Sequence, residues 1–293
     1  VYAGGAPGTH INYLSLLFPN HMFELWDPNP FDQILYQNDN IKIFNEYFTN
    51  ETAIRYRGSG VIFWSDIRTV GEDIEDDVPE NMNMQAKWHK MSNAVISMLK
   101  FRLPYVVDPT SKDAGSAKTK GSDKYRYLDG DLYLQPWAPQ TSTETRLVVM
   151  KDCGEKDYDP LSYESRMFRF NNITRIWQYF PHSVGEVSIE DYSIEENGTD
   201  HCFDCRAEIF ILAKYVNSVH CIESYKILES ENLETSIAKI IKDINHHMGY
   251  LLQRPHGILP DCHMHEKYDQ LKEKYAKTVI NRRKRELKAK GYI

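Results

Sequence analysis

Val1-Tyr2-Ala3-Gly4-Gly5-Ala6-Pro7-Gly8-Thr9-His10 reads as the end of a strand that turns through glycines. Ile11, Leu14 and Phe18 follow at helical spacing. A strand, a glycine-rich turn and a helix make a cofactor cradle. Glycine lets the backbone approach a ligand with no Cβ in the way, and the helix N-terminus offers unpaired N–H groups. Dinucleotide-binding turns read G-x-G-x-x-G and hold a pyrophosphate. Here the run is G-G-A-P-G. Its proline fixes the turn and removes a donor, which suits a neutral or zwitterionic ligand better than a pyrophosphate. The next apolar run, Met22–Trp26, reads as a second strand and ends at Asp27. An acid there can accept hydrogen bonds from both ribose hydroxyls of an adenosine. The plainer alternative is an ordinary turn with Asp27 as a helix cap.

Further along, Ile41–Phe44 and Val61–Trp64 are compact apolar runs. Met84, Trp88, Met91, Val95 and Met98 recur at helical spacing, although Ala94–Phe101 also fits a strand. Leu132–Leu134 and Arg146–Met150 are later strand candidates. Strands alternating with helices predict an α/β fold with a mostly parallel sheet flanked by helices. Leu233, Ile237, Ile240, Ile244 and Met248 predict one amphipathic helix. The tail from Lys267 is charged and carries Arg282-Arg283-Lys284-Arg285, which reads first as a solvated helix face. The expected division is a first domain over 1–230 and a helical, charged C-terminal extension over 231–293.

The chain has 293 residues, 41% of them hydrophobic, enough for a sizeable core. No run of eighteen apolar residues exists, so no transmembrane helix is expected. A net charge of −7 argues against a protein coated in basic surface but leaves room for local basic patches. The five cysteines argue against a disulfide scaffold. Cys202-x-x-Cys205 beside His201, then His220-Cys221, and Cys262 with His263 and His265, are weak ligand clusters; no metal is expected. Asn-x-Ser/Thr triplets at Asn50, Asn172 and Asn197 are short enough to arise by chance. The opening Val1 suggests a piece of a longer protein.

Five further stretches follow the glycine run in order: Ser65-Asp66-Ile67-Arg68, Leu99-Lys100-Phe101-Arg102-Leu103-Pro104, Leu134-Gln135-Pro136-Trp137-Ala138-Pro139, Thr143-Glu144-Thr145-Arg146-Leu147 and Tyr163-Glu164-Ser165-Arg166-Met167. Together the six blocks resemble the poxvirus-type cap-specific mRNA 2′-O-methyltransferases, which also serve as the regulatory subunit of the viral poly(A) polymerase. The resemblance covers roughly residues 1–175. It implies a Rossmann-like S-adenosylmethionine (SAM)-dependent methyltransferase fold with a Lys-Asp-Lys-Glu tetrad. The second, third and fourth members fall on Asp66, Lys100 and Glu144. The first lysine lies upstream of the glycine motif in the family, so the chain is expected to be truncated or catalytically impaired.

By the same resemblance Tyr2, Gly4, Ala6, Pro7, Gly8, His10, Asp27, Asn29, Phe48, Asp66 and Arg68 would line the SAM site. Tyr105 would stack on the methylated guanine of the cap, with Asp108 and Glu164 pairing with its edge. Methyl transfer from a sulfonium is an in-line displacement, and a ribose hydroxyl needs help to attack. A lysine amine can accept its proton or orient its lone pair. Asp66 would sit near the sulfonium, and Glu144 would orient Lys100. Taken singly, Asp66 also fits a helix cap, Lys100 with Glu144 a surface ion pair, and Tyr105 a core or rim tyrosine. The loop Asp108–Lys124 carries Lys112, Lys118, Lys120 and Lys124, which suit phosphates.

The implied reaction carries cap 0 to cap 1, with SAM as cofactor and capped mRNA as substrate. The implied partner is a poly(A) polymerase catalytic subunit, the implied location the host cytoplasm or virion, and no membrane is involved. The competing expectation is a non-catalytic RNA-binding subunit that keeps the fold. A nicotinamide dehydrogenase is disfavoured by Pro7 and by the later blocks.

Overall fold

The computed structural model describes residues 1–69, 74–104, 124–139, 142–175, 178, 180–181, 183–184, 187–188, 203–218 and 233–252. Two compact units result. The first takes residues 1–15, 21–135 and 143–167; the second takes 16–20, 136–142 and the described residues from 168 on.

The first unit is built on a seven-stranded sheet. Its strands are β1 (Tyr2–Ala3), β2 (Phe23–Trp26), β3 (Ile41–Phe44), β4 (Ile62–Ser65), β5 (Ile96–Phe101), β7 (Asp131–Tyr133) and β8 (Thr145–Met150). They lie in the order β3-β2-β1-β4-β5-β8-β7. The first five are mutually parallel, while β8 runs antiparallel to both β5 and β7. Three helices belong with these strands: α1 (Ile11–Leu17), α2 (Asn50–Arg55) and α3 (Ile74–Ser92). A small antiparallel pair, β6 (Tyr125–Leu128) with β9 (Glu155–Tyr158), and the helix α4 (Pro160–Arg169) follow.

Residue parity explains the two faces. Successive side chains on a strand point to opposite sides, and a parallel sheet covered on both faces wants apolar residues on both. Tyr2, Leu25 and Ile41 pack with Ile11, Phe31 and Leu35 in one buried cluster. The next residues on β1 and β2, Ala3 and Trp26, pack with Phe48, Phe63, Trp88, Leu99, Phe101 and Leu147 in the other.

Strand order reverses beside β1: β2 and β3 lie to one side of it, β4 and β5 to the other. In open α/β sheets ligands bind at such a switch point, outside the carboxyl ends of the strands. Here those ends carry Gly4–Gly8, Asp27, Asp66 and Lys100.

Both readings of the stretch from Met84 to Met98 hold in part: Met84, Trp88 and Met91 lie on α3, and the strand read within Ala94–Phe101 forms as β5. α3 stops at Ser92, Asn93 takes φ +52°, and β5 begins at Ile96. Asparagine tolerates that left-handed conformation, which is a common way to end a helix. Cys205, named with Cys202 as a weak ligand candidate, lies buried in a helix, α5 (Phe203–Val216).

In the second unit Cys205, Ile209, Leu212, Ala213 and Val216 are buried at helical spacing. α5 packs against α6 (Leu233–Leu252), the expected amphipathic helix. β10 (Ser183–Val184) and β11 (Val187–Ser188) form a small antiparallel pair. A buried ion pair sits at this unit's centre. Arg175 bonds both carboxylate oxygens of Asp204 through Nε at 3.1 Å, and Nη2 reaches Oδ2 at 2.7 Å. Asp204 also accepts the N–H of Trp137, whose φ is +62°, while Arg175 donates to the Ala138 carbonyl. The proline-rich turn Pro136–Pro139 is thus tied to its unit by charged hydrogen bonds, the stronger kind.

Candidate active site

The glycine turn is held by its neighbours. Gly4 has φ +79°, and a Cβ there would lie 2.8 Å from the Asp66 carbonyl carbon and the Ile67 nitrogen. Only glycine lets the end of β1 come this close to the end of β4. Gly8 has φ +70° and faces Leu35 at 3.0 Å in the same sense. The Ala6–Pro7 peptide is cis.

Asp27 is nearly buried. Its Oδ2 accepts the Ala6 N–H at 3.2 Å, and its Oδ1 accepts both the backbone N–H and the side-chain amide of Asn29 at 2.9 Å. The acid therefore fastens β2's end to the cradle. Ionised carboxylate oxygens have further lone pairs, so ribose hydroxyls can still be accepted.

Tyr2 stacks on Trp64 with ring centroids 5.1 Å apart and tilts toward His10 at 6.4 Å. Burial pushes the Tyr2 phenol well above its ordinary range, and nearby Asp66 adds to that, so it stays a neutral donor. Phe48 is 6% exposed and touches Trp26, Tyr56, Phe63 and Trp88. It packs in the core on the sheet face opposite Tyr2, so the structure does not bring it to the cradle.

The three residues that the resemblance assigns to a tetrad meet. Lys100 Nζ donates to Asp66 Oδ1 at 2.6 Å and lies 3.5 Å from Glu144 Oε2. Register accounts for this. Tyr2 pairs with Trp64, Trp64 with Met98, and Lys100 with Arg146 across β8, so these side chains share one sheet face. Two cations opposite each other on one face repel, and the acids between them resolve it. Arg146 donates to Glu144 at 2.8 Å and lies 3.1 Å from Asp66, while Arg68 reaches Glu144 at 2.7 Å.

Burial alone would raise the Glu144 carboxyl; Lys100 and Arg146 outweigh it, and the pKa lies below the ordinary 4.5. Gln135 adds a hydrogen bond to Glu144 at 3.3 Å. The Tyr163 hydroxyl holds the residues on either side, bonding the Thr143 carbonyl at 2.5 Å and the Thr145 hydroxyl at 3.0 Å.

Arg146 and Gln135 belong to the ordered blocks but carried no expected role. The signal for Arg146 lies in its place at the head of a strand run, two residues beyond Glu144, a spacing that puts extended side chains on one side. A cavity of about 40 Å³ borders the cluster and is lined by Arg68, Asn81, Gln85, Lys100 and Glu144 among others. Of the cap residues, Glu164 is half-buried on α4 beside Tyr163; Tyr105 and Asp108 lie outside the described residues. So do Lys112, Lys118, Lys120, His201, Cys202, His220, Cys221, Cys262, His263, His265 and the 282–285 run. Among the described residues no group of His, Cys, Asp and Glu has a metal-binding arrangement, and no helix is long and apolar enough to cross a membrane.

The fowlpox virus (strain NVSL) cap-specific mRNA (nucleoside-2′-O-)-methyltransferase is 27% identical over 193 residues, covering 60% of this chain and 58% of that protein. The myxoma virus (strain Lausanne) protein of the same description is 28% identical over 193 residues, covering 60% and 53%. The chain thus spans little more than half the length of these curated relatives. Among solved structures, bluetongue virus VP4, described as a multifunctional RNA-capping production line, is similar at a TM-score of 0.43 and 11% identity over 57% of this chain and 28% of that one. The model of the poly(A) polymerase regulatory subunit family matches residues 1–246, and the chain belongs to that family.

Proposed function

We propose that this chain carries the catalytic core of a SAM-dependent methyltransferase acting on the ribose 2′-oxygen next to an mRNA cap, converting cap 0 to cap 1. One observation carries the reading: Asp66, Lys100 and Glu144 converge within hydrogen-bonding and ion-pairing distance beside a glycine cradle at the sheet's switch point. The names of the fowlpox and myxoma relatives support it.

SAM, when bound, supplies an electrophilic methyl on a sulfonium. The cradle residues suit such a ligand. Gly4 keeps the backbone free of a Cβ, Asp27 offers lone pairs to ribose hydroxyls, and Asp66 puts a negative charge where a sulfonium would sit. Lys100 has three N–H donors as an ammonium. Asp66 takes one at 2.6 Å and Glu144 stands as an ion-pair partner at 3.5 Å, which leaves a donor to hold the attacking oxygen in line. Orientation of this kind contributes much of the rate in two-substrate reactions. Tyr105, Asp108 and Glu164 would hold the cap, and the lysines of the 108–124 loop would meet phosphates.

The test is Lys100→Ala in the full-length protein. Methyl transfer to capped RNA is expected to fall at least about 100-fold, with SAM affinity by calorimetry unchanged. A variant that methylates at the native rate overturns the assignment.

A second reading comes from the family's description as a poly(A) polymerase regulatory subunit. The fold would then also dock a polymerase catalytic subunit and RNA without chemistry. It is separable: Lys100→Ala is expected to leave stimulation of a polymerase intact while abolishing methyl transfer.

A further inference from the structure

Helix α3 presents three buried polar side chains one turn apart: Asn81, Gln85 and His89, exposed by 7%, 1% and 3%. Spacing of four residues puts them on one helix face. Such a stripe is uncommon in a core, where polar groups are retained only if bonded. Each is bonded. Asn81 donates to the Thr69 hydroxyl at 3.0 Å and accepts the Thr69 N–H at 3.4 Å, in the segment after Asp66. His89 bonds the Ser97 hydroxyl at 2.7 Å, near the start of β5. Gln85, between them, accepts the Lys100 N–H at 2.9 Å and donates to the Lys100 carbonyl at 3.1 Å.

The middle contact falls where the sheet changes. β4 pairs with β5 only as far as Ser65 and Leu99. Lys100 is the next residue, and its side chain makes the contacts to Asp66 and Glu144. Beyond that pairing, the N–H and C=O of Lys100 need another partner, since a buried backbone group left unbonded is costly. A carboxamide has one acceptor and one donor in the geometry of a peptide, so it stands in for the missing strand.

We propose that Gln85 is a positioning residue for Lys100: its buried carboxamide replaces β4 as the backbone partner and fixes the lysine's Cα against Asp66 and Glu144. The proposal rests on the reading of Lys100 as the lysine that holds the attacking oxygen. Gln85 lines the cavity beside the cluster and acts on Lys100 through its backbone N–H and C=O.

Gln85→Met keeps the shape and removes both hydrogen bonds. In the full-length protein, with SAM and capped RNA, kcat is expected to fall about 10- to 100-fold, the scale of a small misplacement of a reacting group, with KM for both substrates held. Hydrogen exchange at the Lys100 amide is expected to quicken. Ser97→Ala, which removes the His89 partner on the same stripe, is expected to turn over at the native rate with Lys100 exchange unchanged. Where Gln85→Met does not fold, Gln85→Glu keeps the acceptor, loses the donor, and is expected to show the same split between kcat and KM.

Native kcat in the Gln85 variant, a loss confined to KM, or an equal loss in Ser97→Ala would overturn the proposal. Full activity in Lys100→Ala would instead overturn the functional reading. Amide exchange at Lys100 still reports the clamp in that case, so the two failures are distinguishable.

Discussion

At the scale of single residues, the centre of the site is a charge balance. Arg68, Lys100 and Arg146 face Asp66 and Glu144, three cations against two acids. Four of these five side chains are 14% to 26% exposed, and Arg68 is 57% exposed. Partial burial strengthens such contacts while leaving the cluster reachable from solvent.

Glu144 gives the balance a pH signature. Its carboxyl titrates below 4.5 because Lys100 and Arg146 overcome the opposing effect of burial. A carboxyl with a folded pKa below its unfolded one stabilises the fold above the unfolded value, and that contribution disappears as pH falls through the folded value. Glu144→Gln is therefore expected to lower stability by about 2 kcal/mol at neutral pH. The gap in melting temperature between variant and native protein is expected to close on acidification below 4.5. A gap that stays constant into strong acid would contradict this account of the cluster.

At the scale of elements, the five parallel strands put the segments that follow them at one edge. Gly4 makes the tightest of these junctions. Gly4→Ala forces a side chain into a left-handed conformation, at about 1–2 kcal/mol, and drives a Cβ to 2.8 Å from the Asp66 backbone. The expected result is a lower melting temperature together with loss of SAM binding heat; a variant that melts and binds like the native chain would contradict the tight-junction account.

The β1-turn-α1 unit and strands β2, β3 and β4 were legible in the sequence because apolar runs were bounded by Gly, Pro and Asp. Lys100 and Glu144 were reached through the ordered blocks. The geometry that joins them, a direct Lys100–Arg146 cross-strand pair, depends on β8 running antiparallel, which no local pattern dictates. The polar stripe on α3 was hidden for a related reason. Asn81, Gln85 and His89 recur at the same helical spacing as Met84, Trp88 and Met91, and polar residues at that spacing carry no local sign of burial. Long-range pairing, not local periodicity, decides which face of a helix is buried.

At the scale of the molecule, an acidic chain of net charge −7 gathers three cations, Arg68, Lys100 and Arg146, around two acids near the carboxyl ends of its parallel strands. Local excess of that sign suits a polyanion better than the net charge suggests. The family, the switch-point cradle and the converged Asp66, Lys100 and Glu144 point to the same chemistry. The most direct measurement is to locate the methyl group. Capped RNA incubated with the full-length protein and SAM, digested to nucleosides and analysed by mass spectrometry, is expected to carry a new methyl on the 2′-oxygen of the first transcribed nucleotide. An unmethylated ribose there, or a methyl found on a base, would contradict the account.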